Sequence, residues 1–352
     1  MAIKVSNIYY MLAYAFQSMT AGSTMSLGNE DFENLHTLFA EIILRGMNRQ
    51  IKRGISRDYS PRIETLTSVR GKIDITKTIN GMTHLTRQLV CEYDEFTEDI
   101  LPNRVIKAAI TVLLRHGDLP VKSRYGLKRI HQFLSGVKDL NRSEIRFDFL
   151  KSARMSIEYK MIVSVCRLLF ENLLMTEENG EQKLRSYLPD EKMSQLYERF
   201  VREYYRYHHH ELFDKESKIN WDLNEDTDIA NLPSMWSDTR LSHKGKTLII
   251  DTKWYSRTMA VYFGKSSYHS SNLYQIYSYV NNFAKGTQGN VAGVLLYAKT
   301  DEPVPPDDDF PVSGNRIIVK ALDLSQSFEV IRTQLDEIAG IMKSQELVEF
   351  MA

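Results

Sequence analysis

The run Leu248-Ile249-Ile250 is the tightest constraint on how this chain can fold. Three consecutive aliphatic residues without polar alternation demand apolar cover on both faces, so the strand they form belongs inside a sheet flanked by helices. Lys244-Gly245-Lys246 supplies a turn before the run, and Met235 to Arg240 precedes that turn, which predicts an antiparallel hairpin. The buried run continues into Asp251-Thr252-Lys253, placing a carboxylate and an ammonium at the end of a core strand.

Successive side chains of a strand alternate, so Asp251 and Lys253 share one face while Thr252 points away. Asp238, one hairpin upstream, is expected across the ladder from them. Two acids with the backbone carbonyl of Thr252 form a hard oxygen site suited to Mg²⁺, an ion that retains several waters. Lys253 would then orient or help deprotonate an attacking water and offset charge on a phosphate. These are the minimum parts for cutting a phosphodiester.

The tripeptide pattern alone is not distinctive, because acid-x-Lys recurs at Glu158-Tyr159-Lys160, Glu181-Gln182-Lys183, Asp190-Glu191-Lys192 and Glu216-Ser217-Lys218. Only the Asp251 copy closes an aliphatic run, has an acid one hairpin upstream and precedes a helix beginning near Ser270. The competing reading is an ion pair at the strand edge, Asp251 with Lys253 or Arg240. Asp226 and Asp228 compete with Asp238 as the first acid, and Arg240 competes for the Asp238 charge.

The chain has 352 residues, enough for two domains with separate cores. Its 45 basic and 45 acidic residues cancel, which argues against tight unaided binding to nucleic acid: either the cations are clustered or a partner brings the substrate. No glycine-rich phosphate loop with a following lysine is present, so the chain itself is not expected to hydrolyse nucleotides. Cys91 and Cys166 lie among apolar residues and read as buried thiols in a reducing compartment. Without a signal peptide or an apolar span, a cytoplasmic location is expected. His208-His209-His210 reads as a solvated helix end, since adjacent side chains fan around a helix.

Along the chain, residues 1–155 read as a helical N-terminal domain with an extended β arm at about 57–92. Helices are expected from Asn7 to Phe16, from Asp31 to about Arg53, from Asp99 to His116 and from Tyr125 to Val137. The arm carries Arg57, Arg62, Arg70, Lys72 and Lys77, a set able to face a partner or phosphates, or simply a solvated hairpin. Residues 156–352 read as helix, a turn-rich loop over Met175 to Lys183, helix, strand, hairpin, helix (Ser270 to Phe283), two strands (Gly289 to Ala298, Arg316 to Lys320) and a last helix. Strands interleaved with helices imply an α/β mixed sheet flanked by helices.

Several separated blocks, in order, resemble one family. Val5-Ser6-Asn7-Ile8-Tyr9-Tyr10-Met11-Leu12-Ala13-Tyr14-Ala15, Gly71-Lys72-Ile73-Asp74 with Lys77-Thr78-Ile79, Asn103-Arg104-Val105-Ile106-Lys107, Met193-Ser194 with Leu196-Tyr197, the strand from Leu248 to Tyr255, and Asn272-Leu273-Tyr274-Gln275 are similar to McrC. McrC is the nuclease subunit of McrBC modification-dependent restriction systems, within the PD-(D/E)xK superfamily. The resemblance implies a restriction-endonuclease-like core over 156–352 and a partner-docking domain over 1–155. It implies Mg²⁺-dependent cleavage of double-stranded modified DNA, of the methylcytosine type. It also implies a McrB-like AAA+ GTPase oligomer that binds the GTP and is stimulated by this chain.

By position, Asp251 and Lys253 match the second acid and lysine of the nuclease motif, and Asp238 matches the first acid. Gln275 matches a glutamine found near the scissile phosphate in related nucleases, or else it is a helix-surface amide. Glu198 and Glu203 lie on the helix where the superfamily often carries another acid. One departure is that Ser237, not proline, precedes Asp238, with Pro233 five residues earlier. An inactive nuclease fold acting as an adaptor that regulates the partner is the alternative function.

Overall fold

The computed structural model describes residues 3–16, 32–141, 144–147, 155–171, 176–178, 181–183, 188–224, 231–255, 259–262, 265–287, 290–299 and 305–342. The chain divides into two compact units, one of Met1–Glu33 with Tyr187–Ala352 and one of Asn34–Ser186. This differs from the division expected at 155/156. The first helix, α1 (Val5–Ala15), is buried against the C-terminal unit: Tyr10 stacks on Phe328 at 3.9 Å, and the Asn7 amide donates to the carbonyls of Leu324 and Gln326, both at 2.8 Å.

The unit of residues 34–186 begins with α2 (Leu35–Arg53), whose first turn is capped by Asn34 accepting from the Thr37 N–H. The arm follows: β1 (Asp58–Leu66), β2 (Lys72–Ile73), α3 (Ile75–Asn80) and β3 (Leu89–Thr97), with antiparallel strand order β1-β3-β2. Then come α4 (Leu101–His116), α5 (Val121–Phe133) and α6 (Ile157–Glu171). Leu38, Ile43 and Met47 of α2, Ile106 and Leu113 of α4, Leu127 of α5 and Val163 of α6 are fully buried. The helix α6 packs on α2 and α4, which is why it belongs here and not after the expected boundary. The segment read as a loop contains a short pair, β4 (Thr176–Glu178) and β5 (Glu181–Lys183). Asn179-Gly180, between them in sequence, is the composition that two-residue hairpins favour.

The other unit adds α7 (Asp190–His208), β6 (Phe213–Asp214), β7 (Lys218–Ile219), β8 (Met235–Trp236), β9 (Thr239–His243), β10 (Lys246–Lys253), β11 (Met259–Tyr262), β12 (Lys265–Tyr268), α8 (Ser270–Thr287), β13 (Asn290–Ala298), β14 (Asp307–Val312), β15 (Asn315–Leu322) and α9 (Phe328–Gly340). Six strands form one mixed sheet in the order β14-β15-β13-β10-β9-β6, with β10, β13 and β15 parallel and the outer pairings antiparallel. The run Leu248-Ile249-Ile250 is wholly buried in its interior, as its composition demands.

Ile249, Leu295 and Val319 face Ile276, Tyr279 and Val280 of α8. Leu248 and Ile250 alternate to the opposite side, where α7 packs on β10 and the Tyr197 hydroxyl donates to the Leu296 carbonyl. The restriction-endonuclease-like expectation is met to this extent: a mixed sheet with helices on both faces. Among the described residues no helix is long and apolar enough to cross a membrane.

Candidate active site

The site is built where β10 outruns β9. The two strands join through Lys244-Gly245, both at positive φ (48° and 78°), the backbone of a two-residue turn whose twist suits a hairpin. Their register runs from Lys246 opposite His243 to Ile250 opposite Thr239, where the ladder ends one step short of pairing Asp238 with Asp251. There the continuous strand expected from Met235 to Arg240 breaks. The Ser237 N–H bonds the Ser217 carbonyl, β8 pairs with β7, and Asp238 occupies the bend.

With no strand partner on that side, the Thr252 N–H is taken by the Asp238 carboxylate. Asp238 Oδ2 accepts from Thr252 N at 2.7 Å and from Thr252 Oγ1 at 2.6 Å. Thr252 was expected to turn its side chain away from the acids. Because Asp238 leaves the ladder at the bend, it reaches that hydroxyl instead.

Asp251 is 2% exposed. Lys253 Nζ lies 2.5 Å from its Oδ2 and donates to Gln275 Oε1 at 2.8 Å, while Gln275 Nε2 donates to the Tyr279 hydroxyl at 2.8 Å. Gln275 and Tyr279 are one turn apart on α8, so that helix aims two linked side chains at the lysine. Burial first, then the negative charge of Asp238, pushes the Asp251 carboxyl up to about 6 against the opposing pull of Lys253. Glu198 on α7 is raised as well, by burial and then by Asp238, with Asp251 adding a smaller push and Arg202, 3.4 Å away, opposing. Three carboxyl groups therefore lie within electrostatic reach of one another.

Asp251 Oδ2 is buried and makes no hydrogen bond, its contact with Lys253 being ionic. A buried carboxylate with a second acid close enough to push its pKa up is what a cation would relieve, and here Lys253 supplies that positive charge. Among the described residues no three His, Cys, Asp or Glu side chains gather into a cage. Two carboxylates and a backbone carbonyl are hard oxygen donors, the kind that fits an ion keeping much of its water, as Mg²⁺ does.

The remaining residues singled out in the sequence are distributed as follows. Arg240 pairs with neither Asp238 nor Asp251. It donates to Asp214 at 2.8 Å and to the Lys218 carbonyl, and its guanidinium lies over Phe283. Asp226 and Asp228 fall outside the described residues. Glu203 pairs with Arg206.

The three histidines separate, but only His210 is a solvated end. His208 meets the Tyr14 hydroxyl at 2.7 Å, His209 meets Asp336 at 2.7 Å, and His210 is 82% exposed. Four of the five arm cations are engaged within or beside the arm: Arg57 with Glu98, Arg62 with Glu95, Lys77 with Asp74, and Arg70 over the Tyr93 ring. Lys72 stands opposite Glu92 in the ladder. Tyr279 was not singled out from the sequence. Its spacing of four from Gln275 was the available signal.

Residues 4–298 match the family model described as McrBC 5-methylcytosine restriction system component. The chain is 28% identical over 340 residues to the type IV methyl-directed restriction enzyme EcoKMcrBC of Escherichia coli (strain K12), across 96% of this chain and 97% of that protein. Among solved structures it resembles a chain of a refined half-complex from a tetradecameric assembly of Thermococcus gammatolerans McrB AAA+ hexamers with bound McrC. The TM-score is 0.52 at 17% identity, over 94% of this chain and 76% of that one, a likeness of fold.

Proposed function

Since the chain belongs to the McrBC 5-methylcytosine restriction system component family, we propose that it is the DNA-cutting subunit of a modification-dependent restriction complex, hydrolysing phosphodiesters in double-stranded DNA beside an AAA+ GTPase partner. The observation that carries this reading is that Asp251, Lys253 and Gln275 meet at the open end of β10, with Asp238, held by the adjoining Thr252, close enough to raise the Asp251 carboxyl. Asp238 and Asp251, with the Thr252 carbonyl, would hold Mg²⁺, which supplies positive charge to the phosphate and lowers the pKa of a water.

The other roles belong to side chains of this chain. Lys253, gripped between Asp251 and Gln275, presents an ammonium that orients water and offsets charge growing on the phosphate. Tyr279 fixes which way the Gln275 amide faces, so that its oxygen meets the lysine. Thr252 pins Asp238 through two hydrogen bonds and keeps it from swinging to solvent.

The partner assignment draws on the relatives: the similar assembly from Thermococcus gammatolerans contains McrB AAA+ hexamers with bound McrC. In this chain the arm is suited to protein docking. Tyr59, Ile63 and Phe96 share one face of the β1–β3 ribbon and are 53% to 67% exposed, while the paired Arg62, Tyr93 and Glu95 occupy the other. Glu92 and Asp94 stand on the same face, opposite Ile63 and Pro61, so exposed aromatic and aliphatic groups alternate with acids along a strand pair about 30 Å long, the mix of a polar-rimmed interaction surface.

A second reading, a regulatory adaptor with an idle nuclease fold, is favoured by one observation. Asp238 is already occupied by Thr252 and Asp251 by Lys253. One experiment separates them: modified DNA is incubated with the reconstituted complex, Mg²⁺ and GTP, using wild-type chain, Asp251→Ala and Lys253→Ala. The nuclease reading expects wild-type cutting and a loss of roughly 10²-fold or more in each variant with GTP hydrolysis retained. Undiminished cutting by the variants sinks it, and stimulated GTP hydrolysis without cutting by wild type establishes the adaptor.

A further inference from the structure

We propose that the exposed face of α5, carrying Lys122, Lys128 and Arg129, is a docking surface for the phosphate backbone of double-stranded DNA. The helix Val121–Phe133 contains Lys122, Arg124, Lys128, Arg129 and His131 and not one acid. Its inner side is buried through Ser123, Leu127 and Ile130. There Gly126 lets α2 approach so closely that a Cβ would meet Leu44 at 2.8 Å. Wound at 100° per residue, Val121, Lys122, Tyr125, Lys128, Arg129 and Phe133 share one arc of about 140° on the opposite side. All six are exposed, Val121 to 85% and Tyr125 to 75%.

What distinguishes this face is charge without compensation. Neither Lys122 nor Lys128 is paired with an acid among the described residues, and Arg129 meets the Asn48 amide, not a carboxylate. Of the acids on neighbouring elements, Glu41 meets Ser123 and Arg45, Glu158 meets Arg49 and Arg53, and Asp139 meets Lys107, while Asp118, just before the first turn of α5, accepts from the Asn34 amide. Arg124 is turned inward onto the carbonyls of Leu114 and Gly117 and takes no part.

The arm differs, because there Arg57, Arg62 and Lys77 each have an acid and Arg70 has a ring. In a chain whose formal charge sums to zero, an unneutralised row is a local excess of positive potential. The three cations span about 10 Å of helix axis, a length over which duplex DNA presents roughly six phosphates. The first turn of α5 has no side-chain cap, so its N–H groups add to the same potential beside Lys122. The Tyr125 hydroxyl can donate to phosphate, and Val121 and Phe133 can cover sugar carbons. Such contacts position a duplex without reading its sequence.

The proposal rests on DNA being the substrate. Its test is binding in chelator of an unmodified duplex of about three helical turns, roughly 30 base pairs, to the complex reconstituted with the AAA+ partner, followed by anisotropy across a salt series. The variant Lys122→Gln/Lys128→Gln/Arg129→Gln should bind about tenfold or more weakly, with a salt slope shallower by about 2 to 3. Lys128→Glu should bind more weakly than Lys128→Gln. The arm variant Arg57→Gln/Arg62→Gln/Lys77→Gln should bind like wild type in both respects. Asp251→Ala should bind DNA normally while failing to cut it, which separates this surface from the nuclease site. Wild-type binding by the triple variant overturns the proposal, as does loss of partner association with DNA binding intact, the sign of an acidic protein occupant. No duplex binding by the wild-type complex overturns this surface.

Discussion

Asp251 is a carboxylate placed where its charge is costly to keep, and that gives it a measurable signature. Burial and the neighbouring Asp238 raise its folded pKa to about 6, above the ordinary aspartate value. A raised acid prefers its proton in the folded state, so its contribution to stability is fully present below the unfolded pKa and is lost as pH rises through about 6. Asp251→Asn, neutral at every pH and nearly isosteric, lacks that dependence. In chelator, urea denaturation should show wild type losing stability relative to the variant between roughly pH 4 and pH 6 and staying lower above it. Parallel stability curves for the two proteins would contradict the assigned environment. Gln275 makes a complementary point about residues: in sequence its amide had two equal readings, and its bond to Lys253 ties it to the acid-lysine pair.

At the scale of elements, the site depends on how closely α8 lies on the sheet. Gly293 of β13 makes the approach possible, since a Cβ there would meet Ile276 at 2.6 Å and Val280 at 2.7 Å. Gly293→Ala should therefore destabilise the protein by about 1 to 3 kcal/mol through overpacking. It should also reduce DNA cutting by moving Gln275 away from Lys253. Denaturation midpoints and cleavage rates of the complex measure the two effects, and a variant unchanged in both would show that α8 has slack.

Elements differed in how readable they were. The long amphipathic helices and β10 declared themselves through period and burial. The edge strand β14 did not, because Asp307-Asp308-Asp309-Phe310-Pro311 has the acids and the proline that a strand interior excludes. An edge tolerates both, and Lys320 and Arg316 on β15 pair with Asp307 and Asp309.

For the molecule as a whole, the first helix and the last third of the chain form one unit. Asn7 is buried, and its amide satisfies two carbonyls more than three hundred residues away, at Leu324 and Gln326. Asn7→Ala removes the donor from the Gln326 carbonyl and leaves the Leu324 carbonyl only the Lys4 N–H at 3.3 Å, and should cost about 1 to 3 kcal/mol. Hydrogen exchange should report faster opening around α9 and α1, with the helices of residues 34–186 little changed. Acceleration confined to α2 and α4 would contradict the observed division. That division was out of reach of a reading along the chain, which set a boundary after residue 155 from a polar stretch. Compactness follows contacts, and the contacts of α1 and α6 are with elements remote in sequence.

What the sequence determined is local in origin: a strand buried on both faces, a two-residue turn before it, and an acid and a lysine on one side at its end, all consequences of period and composition within about ten residues. Tertiary structure decided which charges meet. It bent the chain at Asp238 so that this acid holds Thr252, brought Gln275 down on Lys253, withdrew Arg240 to Asp214, gave Arg57, Arg62 and Lys77 of the arm an acid each and left Lys122 and Lys128 of α5 without one among the described residues. The reason is that charge pairing acts over a few ångströms in space, between residues whose separation along the chain carries no periodic trace.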